Sequence, residues 1–394
     1  MKHLTLFFSL FLLLLSNGIE AQNSINFSEE SLPKLLERSK KENKPIFLMI
    51  YAEWCPHCNK MKKEVFNTAE VADFMEKNFI CAWQDVEKEN GDFIKKKFDV
   101  KSYPTFVFLD KNETLLYNLS GEYKTDALIQ EAKNALNPKM QLPYLEQQFL
   151  NDPSNVDKCL AYILTLGKGK ERKQISIPAH KYLATQKEQD LVSDKNWKVI
   201  ANAVTDIESR EFQYVLKNQP AFEKLTSPLR VERKINSMVS ESLKPFTENL
   251  DTIQYFKNRK IAKTISLHKT DSLIFMFDVT LAERTQNWNL YKKTTAESVE
   301  KYYWNDSRML KEIGQTYLKN IATIPDLNNA LKWTERAITL EPSYDGYLLT
   351  AQLYHKAKDN KQAIVYAQKA KDFSESMGWN PTDAKKLLLK LGVK

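Results

Sequence analysis

Between positions 28 and 136, short unbroken apolar runs alternate with stretches whose apolar residues recur every three or four positions. The first pattern is that of strands buried on both faces, the second that of helices with one buried face. The order it predicts begins with a helix over 28–43 and a strand over 45–51, carrying Ile46, Phe47, Leu48, Met49 and Ile50. A helix starts at Cys55 or Pro56, because proline suits the first turn. A further helix over 68–78 places Val71, Phe74 and Met75 on one side, and a second strand covers 79–86. A short helix (92–98), a strand (105–109), a turn (110–113) and a fourth strand (114–119) follow, before Gly121 breaks the pattern and an amphipathic helix closes it over 124–136. Such alternation implies a mixed sheet flanked by helices.

Past Asn137-Pro138 strand patterns give way to helical ones, with helices expected over 156–166, 196–215, 231–243 and 298–321. Near the C-terminus Ala330 and Ala337 return as Ala363 and Ala370, an offset of 33, with Tyr347, Ala351 and Tyr354 at packing positions between them. These residues resemble one tetratricopeptide unit and the second helix of another, over about 325–375. Too few repeats to stand alone imply stacking on the preceding helices. The division expected is a leader over 1–21, an α/β domain over 22–137 and an all-α, helical-repeat-like (α-solenoid) domain over 138–394.

Composition sharpens this picture. With 42% apolar residues in 394, the chain is not mainly disordered. Its 9 glycines are about 2% against a usual share of roughly 7%, which favours helices over sandwiches or barrels. The net charge of +8 arises after residue 137, where an excess of basic over interleaved acidic side chains outweighs a slightly acidic first part. A diffuse charge of this kind fits a solvated helical surface, not a nucleic-acid stripe. Lys2 and His3 precede an apolar run from Leu4 to Leu15, too short to span a bilayer, with Ala21 or Gly18 as the last residue before cleavage. An exported protein, periplasmic or secreted and without stable membrane insertion, is therefore expected.

The chemistry concentrates in Trp54-Cys55-Pro56-His57-Cys58. Two cysteines two residues apart, after an apolar strand and at a helix start, make a redox pair. The first thiol meets unpaired N–H groups and the positive end of the helix, which favour its thiolate. Half of a zinc site needs two more ligands, and Cys81, Cys159, His180, His268 and His355 do not supply the spacing. No metal or cofactor is expected.

Together with Ala52-Glu53-Trp54-Cys55, the triplet Tyr103-Pro104-Thr105 before a strand resembles the thioredoxin superfamily, in particular thioredoxins and the C-terminal domain of the electron carrier DsbD. The likeness covers about 110 residues. It implies that Cys55 is the nucleophile toward protein thiols and disulfides and that Cys58 resolves the mixed disulfide. Pro104 is then the cis-proline facing the sulfurs, with the Tyr103 backbone open to an extended peptide. Trp54 either shields one side of the site or packs in the core. His57 favours an oxidant, as Cys-Pro-His-Cys does in the oxidase DsbA, whereas the scaffold fits a reductase or electron carrier. Where the family buries a carboxylate, six residues before the first cysteine, this chain has Met49, leaving water, Glu53 or no nearby group to take the Cys58 proton and implying slower resolution of the mixed disulfide.

Cys81 and Cys159 are expected to be inert buried thiols, with a disulfide between them as the alternative. Trp288, Trp304, Trp333 and Trp379 are expected to anchor helix pairs. Two functions compete: a thiol–disulfide oxidoreductase with an unidentified redox partner, and a scaffold whose helical domain binds a protein partner and whose redox site is secondary.

Overall fold

The structure, a computed structural model, describes residues 24–169 and 172–393. The expected leader lies outside the described residues. Four strands, β1 (Ile46–Tyr51), β2 (Ile80–Asp85), β3 (Thr105–Leu109) and β4 (Leu115–Ser120), form one sheet in the order β2-β1-β3-β4. β1 runs parallel to β2 and antiparallel to β3, and β3 pairs antiparallel with β4. Every residue of β1 is buried, as a central strand covered on both faces requires. Around it Phe47 meets Phe108 and Phe106 at ring-centroid distances of 5.1 and 5.6 Å.

Five helices flank the sheet: α1 (Leu32–Glu42), α2 (Pro56–Glu64), α3 (Ala69–Asn78), α4 (Gly91–Lys97) and α5 (Thr125–Leu136). α1 starts four residues later than the sequence pattern suggested. Pro33 belongs to its first turn, because proline deeper in a helix lacks the N–H it would have to donate. Ser28 instead extends the sheet, its N–H donating to Cys81 O (2.9 Å) and its carbonyl accepting from Trp83 N–H (3.1 Å).

The chain divides into two compact units, one made of residues up to Thr205 with Ser209–Pro228, the other of Asp206–Glu208 with Leu229–Lys394. The helices directly after the sheet therefore group with it. Among them are α6 (Leu142–Asn151), α7 (Val156–Leu166) and α8 (Arg172–Leu183). Lys168, just past α7, accepts a hydrogen bond at its carbonyl from Ser120 N–H (2.9 Å). Its Nζ donates to Tyr117 Oη (2.7 Å) and to both Glu131 carboxylate oxygens (2.7 and 2.8 Å). Gly169 lies so close to β4 that a Cβ there would fall 2.2 Å from the Asn118 amide. The single helix expected over 196–215 is two, α9 (Asp194–Ala203) and α10 (Arg210–Lys217), followed by α11 (Gln219–Leu225). Ser209 caps α10 by accepting from Phe212 N–H (3.3 Å), a stop-and-start signal that the apolar periodicity obscured.

The second unit is all-helical, from α12 (Pro228–Glu248) through α13 (Thr252–Lys263), α14 (His268–Arg284), α15 (Trp288–Tyr302), α16 (Ser307–Asn320), α17 (Ile324–Leu340), α18 (Tyr344–Lys356) and α19 (Asn360–Ser376) to α20 (Thr382–Lys390). The helix expected over 298–321 breaks at 303–306, where Asp306 caps α16 through Met309 N–H (2.9 Å). Ala330, Ala337, Ala351, Ala363 and Ala370 are fully buried, so small residues let α17, α18 and α19 approach closely, compatible with a tetratricopeptide-like arrangement. Trp333 is buried with its ring perpendicular to Tyr317 at 5.3 Å, and Trp288 and Trp304 are partly buried against the same core. Trp379 corrects the expectation of an anchor. Although it touches Phe373, it is 55% exposed.

Candidate active site

β1 ends at Tyr51, and the chain turns through Ala52, Glu53 and Trp54 into Cys55, whose N–H donates to Ala52 O (3.1 Å). Cys55 is the N-cap of α2, with extended backbone and Pro56 in the first turn. Its sulfur accepts the N–H of Cys58 at 3.3 Å and lies 3.6 Å from the carbonyl oxygen of Tyr103. The Tyr103–Pro104 peptide is cis. The loop is fixed from behind, since Gly121 N–H donates to Pro104 O (2.9 Å). Strand, helix start and proline loop thus bring together residues 48 positions apart.

The two cysteines differ electrostatically. Cys55 is 3% exposed and meets the amide-rich start of α2, while Cys58 is fully buried. Burial pushes the Cys58 thiol up to about 12, and its hydrogen bond with Cys55 adds to the rise. A thiol held neutral by burial beside one at a helix start is a division that suits attack by the first sulfur and later attack by the second. Neither is bonded to another cysteine in this structure.

Trp54 is 67% exposed, which excludes the core-packing alternative, and its ring meets Tyr103 edge-on at 5.9 Å. His57 is exposed too, and its Nδ1 is bonded to the carboxylate of Glu122 from the segment after β4. The other Glu122 oxygen accepts from Lys60 Nζ at 2.7 Å. These bonds, Lys60 foremost, hold the Glu122 carboxyl below its ordinary range. The sequence pattern missed Glu122 altogether, since nothing in a lone acidic residue 65 positions away marks it as a partner of His57. Met49 is fully buried and stands across from Trp83 on one side and Phe106 on the other.

Cys81 and Cys159 are buried and free, and burial raises both thiols, Cys159 to about 12. Among the described residues no cluster of three or more His, Cys, Asp or Glu could hold a metal ion, and no helix is long and apolar enough to cross a membrane.

A family model described as a thioredoxin-like domain matches residues 32–136. Those residues are a thioredoxin-like domain. Outside it the match does not extend, so the name covers the sheet, its flanking helices and the cysteine pair. Within it the chain is similar to protein disulfide-isomerase A5 of Bos taurus, 28% identical over 116 residues, or 29% of this chain and 21% of that protein. It is likewise similar to the thiol:disulfide interchange protein DsbD of Yersinia pestis, 30% identical over 127 residues, or 30% of this chain and 21% of that one. Among solved structures, a DsbH oxidoreductase is 25% identical, with a TM-score of 0.26, over 29% of this chain and 87% of that one. The chain thus spans about a fifth of the length of these two curated relatives.

Proposed function

We propose that the protein is an exported thiol–disulfide oxidoreductase that exchanges disulfides with protein substrates through Cys55 and Cys58. The observation that carries this reading is the cap: the Cys55 sulfur sits at the start of α2, bonded to the Cys58 N–H, with the Tyr103–Pro104 loop beside it. In the reducing direction the Cys55 thiolate attacks a substrate disulfide and expels one substrate thiolate. Cys58 then attacks the Cys55 sulfur, the Cys55–Cys58 disulfide forms, and the second substrate thiolate leaves. Trp54 and Tyr103 flank the approach to Cys55, and the Tyr103 backbone is the pairing edge for an extended substrate segment. The names of the relatives, a disulfide-isomerase and a thiol:disulfide interchange protein, support protein thiols and disulfides as substrates.

Reduction or electron carriage is the favoured direction. The Glu122 carboxylate engages His57, the residue whose positive charge would otherwise favour the Cys55 thiolate and an oxidising potential. Export rests on the basic, then apolar N-terminal sequence, and a protein partner for the helical region rests on its repeat-like packing. Insulin-disulfide reduction with the parent, Cys55→Ser and Cys58→Ser proteins tests the reading. Turnover lost in Cys55→Ser, with client proteins accumulating as mixed disulfides on Cys58→Ser, supports it. Equal turnover of parent and Cys55→Ser overturns it, and a single partner held whatever the cysteines would favour the scaffold.

A further inference from the structure

Cys58 must lose its proton before it can attack, yet it is fully buried, and burial holds its thiol far above the usual range. On β1, at the position where the family buries a carboxylate, stands the thioether of Met49, which neither accepts a proton nor carries charge. Something else has to offset the charge of the Cys58 thiolate.

One turn further along α2 stands Lys62, a half-buried residue on the same helical face as Cys58. Its Nζ lies 3.4 Å from the ring centroid of Tyr51, at the end of β1, and 4.7 Å from that of Trp83 on the neighbouring strand β2. Among the described residues no carboxylate comes within ion-pair distance of it. An ammonium lodged over two aromatic faces, short of a carboxylate partner, has unspent capacity for an anion. A cavity of about 270 Å³ is lined by the same Tyr51 and Trp83, with Asp85 and Lys88 among others.

We propose that the Lys62 ammonium is the counter-charge that forms the Cys58 thiolate when the mixed disulfide is resolved. The inference rests on the exchange reading above. The Cys58 proton passes to water, and the thiolate electron pair attacks the Cys55 sulfur. The Cys55–substrate S–S bond breaks, and the substrate sulfur leaves with that bond's electrons and takes up a proton. Lys62 keeps its own proton throughout and acts through its field. The charged groups facing it are consistent with this. Burial lowers the ammonium's own proton affinity, the Cys58 thiolate, Asp85 and Glu53 raise it, and Lys88 lowers it. The same ammonium draws the Cys58 thiol downward against its burial.

The test follows the lifetime of the mixed disulfide. Reduced full-length parent, Lys62→Met and Lys62→Arg proteins are mixed with glutathione disulfide, quenched with acid and weighed intact, from pH 6 to 10. Losing a counter-charge that moves a thiol by one unit changes its thiolate fraction tenfold. The methionine protein should therefore resolve its mixed disulfide about tenfold more slowly at pH 7, and arginine should restore most of the rate. In a Cys58→Ser background, alkylation of Cys55 by iodoacetamide should proceed at rates within about twofold whether residue 62 is lysine or methionine. If methionine unfolds the helix, Lys62→Gln takes its place. Equal resolution in parent and Lys62→Met overturns the proposal, as does a slowing that arginine does not rescue. A parent that forms no glutathione mixed disulfide overturns the exchange reading itself, and this inference with it.

Discussion

Glu122, on the segment that leaves β4, holds His57, the residue between the two cysteines, by its Nδ1 and holds Lys60 by Nζ at 2.7 Å. His57 and Lys60, near the start of α2, are thereby tied to one carboxylate. Replacing Glu122 with glutamine removes a negative charge beside the start of α2 and so favours the Cys55 thiolate. The reduction potential should rise by about 15–30 mV, where 30 mV is a tenfold change in a two-electron equilibrium. Equilibration with glutathione at pH 7 measures it. An unchanged potential would mean that Glu122 does not tune the pair.

Trp54 is exposed and touches Tyr103 beside Cys55. Trp54→Ala should leave thermal stability nearly unchanged, within about 0.5 kcal/mol, as surface substitutions do. It should weaken reaction with protein disulfides several-fold while affecting small disulfides less. Comparing kcat/KM for insulin and for glutathione disulfide checks this. An equal loss on both would make Trp54 a support of the cysteines themselves.

Half-buried Lys168 and Glu131 and the fully buried Tyr117 join the segment after α7 to α5 and β4. Glu131 is raised by its burial, but hydrogen bonds from Lys168, Tyr117 and Asn134 outweigh this and hold it below its ordinary value of 4.5. Because the folded value is depressed, the stabilisation is complete above 4.5 and is lost as pH falls through the folded value. Lys168→Met should cost about 1–3 kcal/mol at pH 7 by leaving a part-buried carboxylate unpaired. The deficit should shrink as pH falls below 4, and thermal melts from pH 3 to 7 read it. A pH-independent deficit would assign the loss to packing.

At Gly169 a Cβ would fall 2.2 Å from the Asn118 side-chain amide and 2.9 Å from the Asn118 backbone carbon. Backbone cannot retreat as the tip of a side chain can, so Gly169→Ala should destabilise by about 1–3 kcal/mol. Asn118 itself is only 2% exposed, so it has little room to yield. Denaturant melts check the cost, and an unaffected midpoint would show that this segment does not press on β4.

How much of this was visible beforehand follows from the range of each interaction. The four strands and the helix capped by Cys55 were legible because each is a local pattern: an apolar run, or a cysteine followed by proline at a helix start. The proline loop was legible through its likeness to a family. Glu122 and the packing of Lys168 on β4 were not, since each depends on a contact made across dozens of residues. The breaks at 204–209 and 303–306 carried local capping signals, Ser209 and Asp306, that continuous apolar periodicity masked. Lys62 was visible as a residue, but its placement over Tyr51 and Trp83 needed the sheet.

The most direct test of the central claim is a redox titration of the purified protein in graded glutathione buffers, with the thiols counted by mass after alkylation. A single two-electron transition should appear, in which Cys55 and Cys58 lose their thiols together. It should be absent from both Cys55→Ser and Cys58→Ser, and Cys81 and Cys159 should stay reduced. If Cys55 and Cys58 remain free thiols in every buffer, or titrate independently of one another, the pair is not a redox couple and the proposed activity has no basis.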